Sequence, residues 1–171
     1  GGPTRSPQID ALDALVACGL IRELPNAREV GDYSKGRPAR RFEFCADARV
    51  VIGLDAGRAH VTTTVSDLSG AVLARGHLAL DDDSVAARRE AMTRAVDDAL
   101  VAANRDRSEV IALCAGVPAP VNSEGRSPAH HDGFWQRMNP DLMDMFGEWV
   151  PLVRVENDAS LAAVAEGTMG V

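Results

Sequence analysis

Lysine, aromatic side chains and cysteine are all scarce in this sequence. Lys35 is the sole lysine, and aromatic residues make up only 4% of the chain. The basic residues are otherwise arginine, and alanine is abundant; both reflect a GC-rich genome and carry no functional reading. Three cysteines (Cys18, Cys45, Cys114) are too few, odd in number and too far apart for a disulfide framework or a metal knuckle. They fit buried thiols in a reducing cytosol. No apolar run reaches the ~18–20 residues of a membrane helix. The first residues are polar, without the basic-then-apolar build of a signal peptide. The 15 glycines follow no fixed period, which excludes a collagen-like chain. Internal repeats and low-complexity segments are absent as well. What is present is a hydrophobic content of 46%, ample for a core, in 171 residues. At roughly 100–200 residues per domain, that length allows one full domain or two partial ones.

The net charge of -7 is unevenly spread. Residues 1–50 are close to neutral and residues 51–171 carry the acidic excess. Lys35-Gly36-Arg37-Pro38-Ala39-Arg40-Arg41 holds four cations and no acid. Such a strip on an acidic body is either a small anion-contacting surface or a solvated basic loop, and charge alone leaves both open.

Ser6-Pro7 opens a helix with a hydroxyl N-cap and Pro at the first helical position. Ile9, Leu12, Leu15, Val16 and Leu20 recur at helical spacing, and Gly19 ends the helix. Ile21 to Leu24 reads as a short strand, residues 25–40 as a loop, and Arg41 to Cys45 as the returning strand. Helix, strand, long loop and strand form the back half of a winged helix, with the basic strip at the wing. A second pattern starts at Val50. Strands over 50–54, 60–66 and from Ala71 form an antiparallel meander. Asp81–Asp83 and Ser84 cap a long helix to about Ala103. Val110 to Val117 is a buried strand, 118–133 a loop, and Asn139-Pro140 starts a short helix to Gly147. A strand over 150–155 and a helix from Asp158 to about Gly167 complete the chain. This order is that of the start of an actin-like ATPase domain.

Three motifs carry candidate chemistry. Ile52-Gly53-Leu54-Asp55-Ala56-Gly57 runs a strand into a glycine turn with an acid at its tip. It reads as a phosphate approach beside a metal-facing acid, or as an ordinary β-turn. Val155-Glu156-Asn157-Asp158 puts an acid at a strand's carboxyl end, where ligands bind in α/β sheets. Asp158 is placed there to take a proton from a sugar hydroxyl, or it only caps the next helix with Asn157. Gly116-Val117-Pro118-Ala119-Pro120-Val121 floors a ligand site or is a stiff turn. His130-His131-Asp132 reads as a solvated polar loop rather than a metal site, and Glu166 as a solvated helix charge.

In their order and spacing these motifs resemble the ROK family of sugar-responsive repressors and sugar kinases. The matching segments are Ile52-Gly53-Leu54-Asp55-Ala56-Gly57, Asp67-Leu68-Ser69-Gly70 with Val72-Leu73-Ala74, Gly116 to Val121, and Val155-Glu156-Asn157-Asp158-Ala159-Ser160 with Ala163 and Glu166 in register. Gly36-Arg37-Pro38-Ala39 is similar to the end of the family repressors' winged helix, and Ala17-Cys18-Gly19-Leu20-Ile21 to the end of their recognition helix. The resemblance covers essentially the whole chain.

It implies an α/β fold: a partial winged helix over 1–46, then the N-terminal lobe of an actin-like ATPase (ribonuclease H-like) fold over 47–171. It implies that Arg5, Ser6 and Gln8 enter a DNA major groove, that Arg37 reaches a minor groove, and that Arg40 or Arg41 holds phosphate. Asn157 and Asp158 match the family's sugar-binding pair, and Asp158 is catalytic only in a kinase. Asp55 and Gly57 match the phosphate loop. Arg58 and Ala59 stand where family kinases have Gly and Thr, which crowds that loop. The implied partners are operator DNA, a sugar or sugar-derivative effector, and a second copy of the intact protein in a homodimer or larger homo-oligomer. No membrane partner is implied. The expected role is a cytoplasmic repressor of carbohydrate metabolism or transport, in which sugar binding changes the spacing of two DNA-binding heads. An ATP-dependent sugar kinase, using ATP and magnesium, is the alternative. The family's zinc motif falls downstream of these residues, so no metal site is expected within them. The chain is therefore expected to be an internal piece of a longer protein, with the inner face of its lobe uncovered and a tendency to self-associate.

Overall fold

The computed structural model describes residues 7–25 and 39–159, and the chain divides into two units, Gly1–Ala48 and Arg49–Val171. In the first unit, helix α1 (Pro7–Ala17) starts on Pro7, whose fixed φ suits a first helical position. Gly19, at φ +76°, ends it. Its N–H donates to Val16 O, and Leu20 N donates to Leu15 O, each at 3.0 Å. That pair of bonds satisfies two carbonyls of the last turn, and it needs the left-handed residue that glycine supplies. Strands β1 (Ile21–Glu23) and β2 (Phe42–Phe44) pair antiparallel, with Ile21 opposite Phe44 and Glu23 opposite Phe42. The expected apolar stripe exists, yet no residue of α1 is buried. Ile9, Leu15 and Val16 are exposed, as is Phe44 of β2.

The second unit is a five-stranded mixed sheet in the order β5-β4-β3-β6-β7. Its strands are β3 (Val50–Ala56), β4 (His60–Asp67), β5 (Val72–Ala79), β6 (Val110–Val117) and β7 (Leu152–Asn157). The meander β3-β4-β5 is antiparallel, and β6 and β7 run parallel to β3. Parallel neighbours need a crossover, and helix α2 (Val85–Ala102) supplies it between β5 and β6. Ser84 caps α2 by accepting from Ala87 N. One face of the sheet carries Ile52, Leu54, Val61, Val65, Leu113 and Val155, all buried. Met92, Val96 and Leu100 of α2 and Phe146 further on close the core against that face. Among the described residues, the opposite face keeps Gly53, Asp55 and Arg154 exposed and Thr62, Thr64 and Cys114 half-buried.

Two expectations are corrected and one element is added. Residues 134–138, between the expected loop over 118–133 and the expected helix from Asn139, form a one-turn helix α3 (Phe134–Met138). It follows Gly133 at φ +71° and has no capping side chain, so nothing in its composition announces it. The next helix, α4 (Leu142–Gly147), starts three residues later than Asn139, because Asp141 at φ +54° interrupts the turn. The cysteines are free, but none is buried: Cys18 is exposed and Cys45 and Cys114 are half-buried. Asp158 and Ala159 begin a helical turn; the rest of the helix expected there lies outside the described residues. Among the described residues, no helix is long and apolar enough to cross a membrane.

Candidate functional site

The strand register brings the expected phosphate-loop and sugar-binding residues to one edge of the sheet. Asp55 of β3 is level with Gly116 of β6, and Gly116 with Glu156 of β7. Strands lie ~4.8 Å apart, so the Asp55 and Glu156 backbones stand about 10 Å apart. Gly116 between them adds no side chain. Thr62 and His77 continue this row on β4 and β5, 3.4 Å apart between Oγ1 and Nδ1. All three parallel strands end here, which is where open α/β sheets bind ligands. Arg154 Nε donates to Glu156 Oε1 at 2.7 Å and partly neutralises it.

Asn157 and Asp158 do different work. Asn157 shares its level with Val117, on the core side of the row. Its Nδ2 donates to Ala119 O at 2.9 Å, tying the end of β7 to the loop after β6. Its Oδ1 accepts from Ala159 N at 3.0 Å. The Asp158 carboxylate also accepts from Ala159 N, at 2.7 Å, and is exposed. Asn157 thus ties down the strand end, and the Asp158 carboxylate is exposed beside it. A cleft of about 640 Å³ runs along β7, lined by residues such as Asn122, Glu124, Arg154 and Glu156, but neither Asn157 nor Asp158 lines it.

The loop after β3 is held from beneath by a residue the sequence did not single out. Arg88 of α2 is fully buried. Its guanidinium donates to Gly57 O at 2.9 Å and to Arg58 O at 3.2 Å. Ala59 O accepts from Leu80 N at 2.8 Å. Burial pushes the Arg88 guanidinium down from its ordinary value, and the nearby Asp83 charge opposes that shift. Arg58 lies over the Phe134 ring, 5.0 Å from its centroid, and Arg137 lies 5.9 Å from the same ring. A side chain at Gly57 would press on His60, whose carbonyl oxygen would be 3.2 Å from the new Cβ. Arg88, Phe134 and Arg137 were missed because only the register and α3 bring them to this loop.

His130, His131 and Asp132 form a local cluster in which His130 is half-buried and His131 and Asp132 are exposed. The His130 ring packs on Trp135 at 4.5 Å and on His131 at 4.2 Å, and it pairs with Asp132. The donor from Phe134 N, followed by the His130 contact, holds the Asp132 carboxyl below its usual range. Their ligand atoms lie within 4.8 Å of one another.

In the first unit, Gln8 lies exposed on α1, while Arg5, Ser6 and Arg37 lie outside the described residues. Arg40 is not a free phosphate contact. It donates to Glu23 at 2.9 and 3.0 Å and to Asp13 at 3.3 Å, and it sits over Phe42 at 5.2 Å. Arg41 is exposed.

The ROK family model matches residues 51–171. No curated protein matches the chain. Among solved structures, a ROK family transcriptional regulator, a homolog of the E. coli Mlc protein, superposes with a TM-score of 0.65 at 22% identity, over 92% of this chain and 39% of its own. A ROK hexokinase from Thermus thermophilus gives 0.53 at 26% identity, over 71% and 38%. A ROK family glucokinase from Streptomyces griseus, in complex with glucose and AMPPNP, gives 0.52 at 27%, over 68% and 36%. The chain therefore spans well under half the length of each. Its mixed sheet is the sheet of these actin-like kinase-type neighbours.

Proposed function

The chain belongs to the ROK family, and within it we propose a sugar-responsive, DNA-binding transcriptional regulator, a repressor of carbohydrate metabolism or transport. The observation that carries this reading is coverage. The share of the chain outside the regulator match is smaller than the first unit, so that match reaches into the helix and strand pair. The hexokinase and glucokinase matches cover only about the fraction that the second unit represents. A regulator needs a basic element beside its sensor, and the strip from Lys35 to Arg41 provides one.

In this reading Arg5, Ser6 and Gln8 meet base edges or phosphates, Arg37 enters a minor groove, and Arg41 holds phosphate. Arg40 braces the strand pair through Glu23 and Asp13. Asn157 and Asp158 hold sugar hydroxyls without phosphoryl transfer. The intact protein acts as a homodimer or larger homo-oligomer. A gel shift at fixed salt, with DNA from upstream of its own gene and with and without sugars, tests this. Sugar-sensitive retardation supports the reading, and no retardation at any protein concentration overturns it.

A sugar kinase is the second reading, favoured by the higher identity to the two kinases and by the exposed Asp158 carboxylate. As a base, Asp158 would take the proton of a sugar hydroxyl while that oxygen attacks the terminal phosphorus of ATP and ADP leaves. Asp55 would face the magnesium. Glucose-dependent ADP release in a coupled assay decides for the enzyme.

A further inference from the structure

We propose that His130, His131 and Asp132, in the loop between β6 and α3, form a binding site for a divalent transition-metal ion of the zinc class. The site is independent of the regulator and kinase readings, and no cysteine belongs to it. Three observations carry it. The first is convergence. One ligand atom from each of the three residues lies within 4.8 Å of the other two. Some point is then within about 2.8 Å of all three, against the ~2.0–2.2 Å of zinc bonds to imidazole and carboxylate. Small side-chain rotations close that gap, and exposed His131 has the room to make them. His130 Nδ1 and Asp132 Oδ1 already pair. An imidazole nitrogen and a carboxylate oxygen therefore point at one spot, where the ion takes the place of the proton they share.

The second observation is that groups outside the cluster hold two of the three ligands. The His130 ring packs on Trp135, 4.5 Å between centroids. Its backbone N–H donates to Gln136 Oε1 at 3.3 Å, and Gln136 Nε2 donates to Pro128 O at 2.7 Å. Phe134 N donates to Asp132 Oδ1 at 2.9 Å and sets the carboxylate's direction. Ligands held in place beforehand lose less freedom when the ion binds. The third observation is charge. Asp132 supplies an anion, and the nearest arginine is engaged elsewhere: Arg137 Nη1 donates to the Asp132 backbone carbonyl at 2.9 Å, and its Nε lies 3.4 Å from Asp83. Two imidazoles and one carboxylate suit zinc, nickel, cobalt or copper, whereas magnesium and calcium take oxygen ligands. Water fills the remaining positions. A bound ion locks the entry to α3, whose Phe134 ring carries Arg58 and Arg137.

The test is calorimetric titration of the 171-residue chain with zinc chloride, with nickel, magnesium and calcium chlorides as further arms. One zinc ion binds per chain with a roughly micromolar Kd, nickel competes with it, and magnesium and calcium do not. His131→Ala and Asp132→Asn each weaken zinc binding by about tenfold or more. Both variants fold, which circular dichroism checks: His131 is exposed, and asparagine keeps an acceptor for Phe134 N. His60→Ala, which breaks the stacked pair of His60 and His77, keeps wild-type zinc affinity. The site is refuted if zinc binds no tighter than about 100 μM, if magnesium or calcium displaces it, or if either ligand variant retains wild-type affinity. Loss of zinc binding in His60→Ala puts the ion on the other histidine pair and refutes it equally.

Discussion

Asn157→Ala separates holding the strand end from presenting a ligand group. In the structure Asn157 Nδ2 donates to Ala119 O at 2.9 Å, and Ala119 is 1% exposed. Deleting the amide leaves that buried carbonyl without its donor, at a cost of about 1–3 kcal/mol. The Ala159 N–H keeps an acceptor, since Asp158 Oδ1 lies 2.7 Å away, so the capping loss adds little. At about 2–4 °C per kcal/mol for a chain of this size, melting falls by roughly 2–12 °C. Asn157→Asp is worse than Ala, because it replaces the donor with a charged acceptor facing a carbonyl. Asp158→Ala, at an exposed position, stays within about 0.5 kcal/mol of wild type but abolishes the sugar response. Thermal denaturation by circular dichroism, with sugar titrations on the same samples, reads both effects. An Asn157→Ala variant melting with the wild type, or an Asp158→Ala variant with unaltered sugar affinity, refutes this division of roles.

Arg37→Ala weakens operator binding at fixed salt, and Arg40→Ala instead lowers thermal stability, because Arg40 is engaged by Glu23 and Asp13; equal losses of DNA affinity in both would contradict this. Gly125→Ala destabilises by about 1–2 kcal/mol from its positive φ alone, and more because the new Cβ would lie 2.5 Å from Met143 Cγ. Gly76→Ala in β5, with nothing within 4 Å of the new Cβ, is neutral or stabilises by up to about 1 kcal/mol, so equal melting of the two variants would be a contrary result. Arg126 holds the Asp144 carboxyl below its usual range through a paired hydrogen bond. A depressed carboxyl contributes stability that is complete above about pH 4 and lost as pH falls through its folded value. Melting temperature therefore drops on acidification below about pH 4, and Asp144→Asn shows a shallower drop in parallel melts.

The second unit was legible in sequence because each local signal agreed with the sheet. Alternation over 60–66, a Ser84 cap three residues before its donor, and the apolar run from Val110 each specify one element. What was not legible depended on distance in sequence. Arg88 looks like any charge on α2, and only the fold brings it to the carbonyl it holds, 31 residues away in sequence. Arg40 looks like any cation of the basic strip, because its partners Glu23 and Asp13 are 17 and 27 residues removed. The α3 helix has no cap and one turn, too little for periodicity to register. Cysteine burial failed for a simpler reason: Cys114 sits on the outer face of β6, and a continuous apolar run does not say which of its residues face the core.

The register also explains why the strand ends combine holding and presenting residues within one or two positions. A strand sends successive side chains to opposite faces. Ala56, Val117 and Asn157 end their strands on the covered side, and there they pack or tie backbone. Asp55, Gly116 and Glu156, one residue earlier, face the other side and carry two carboxylates, that of Glu156 paired with Arg154, and the gap between them. A shift of β7 by one residue against β6 would exchange these sets, burying Glu156 and exposing the amide that secures Ala119. The contact between Asn157 and Ala119 therefore fixes the register on which the Asp55–Glu156 spacing depends. Asn157→Ala should disturb ligand binding through that spacing even where its own atoms touch no ligand, and the conservative Asn157→Gln, which keeps the donor on a longer arm, should recover binding only as far as it recovers the melting temperature.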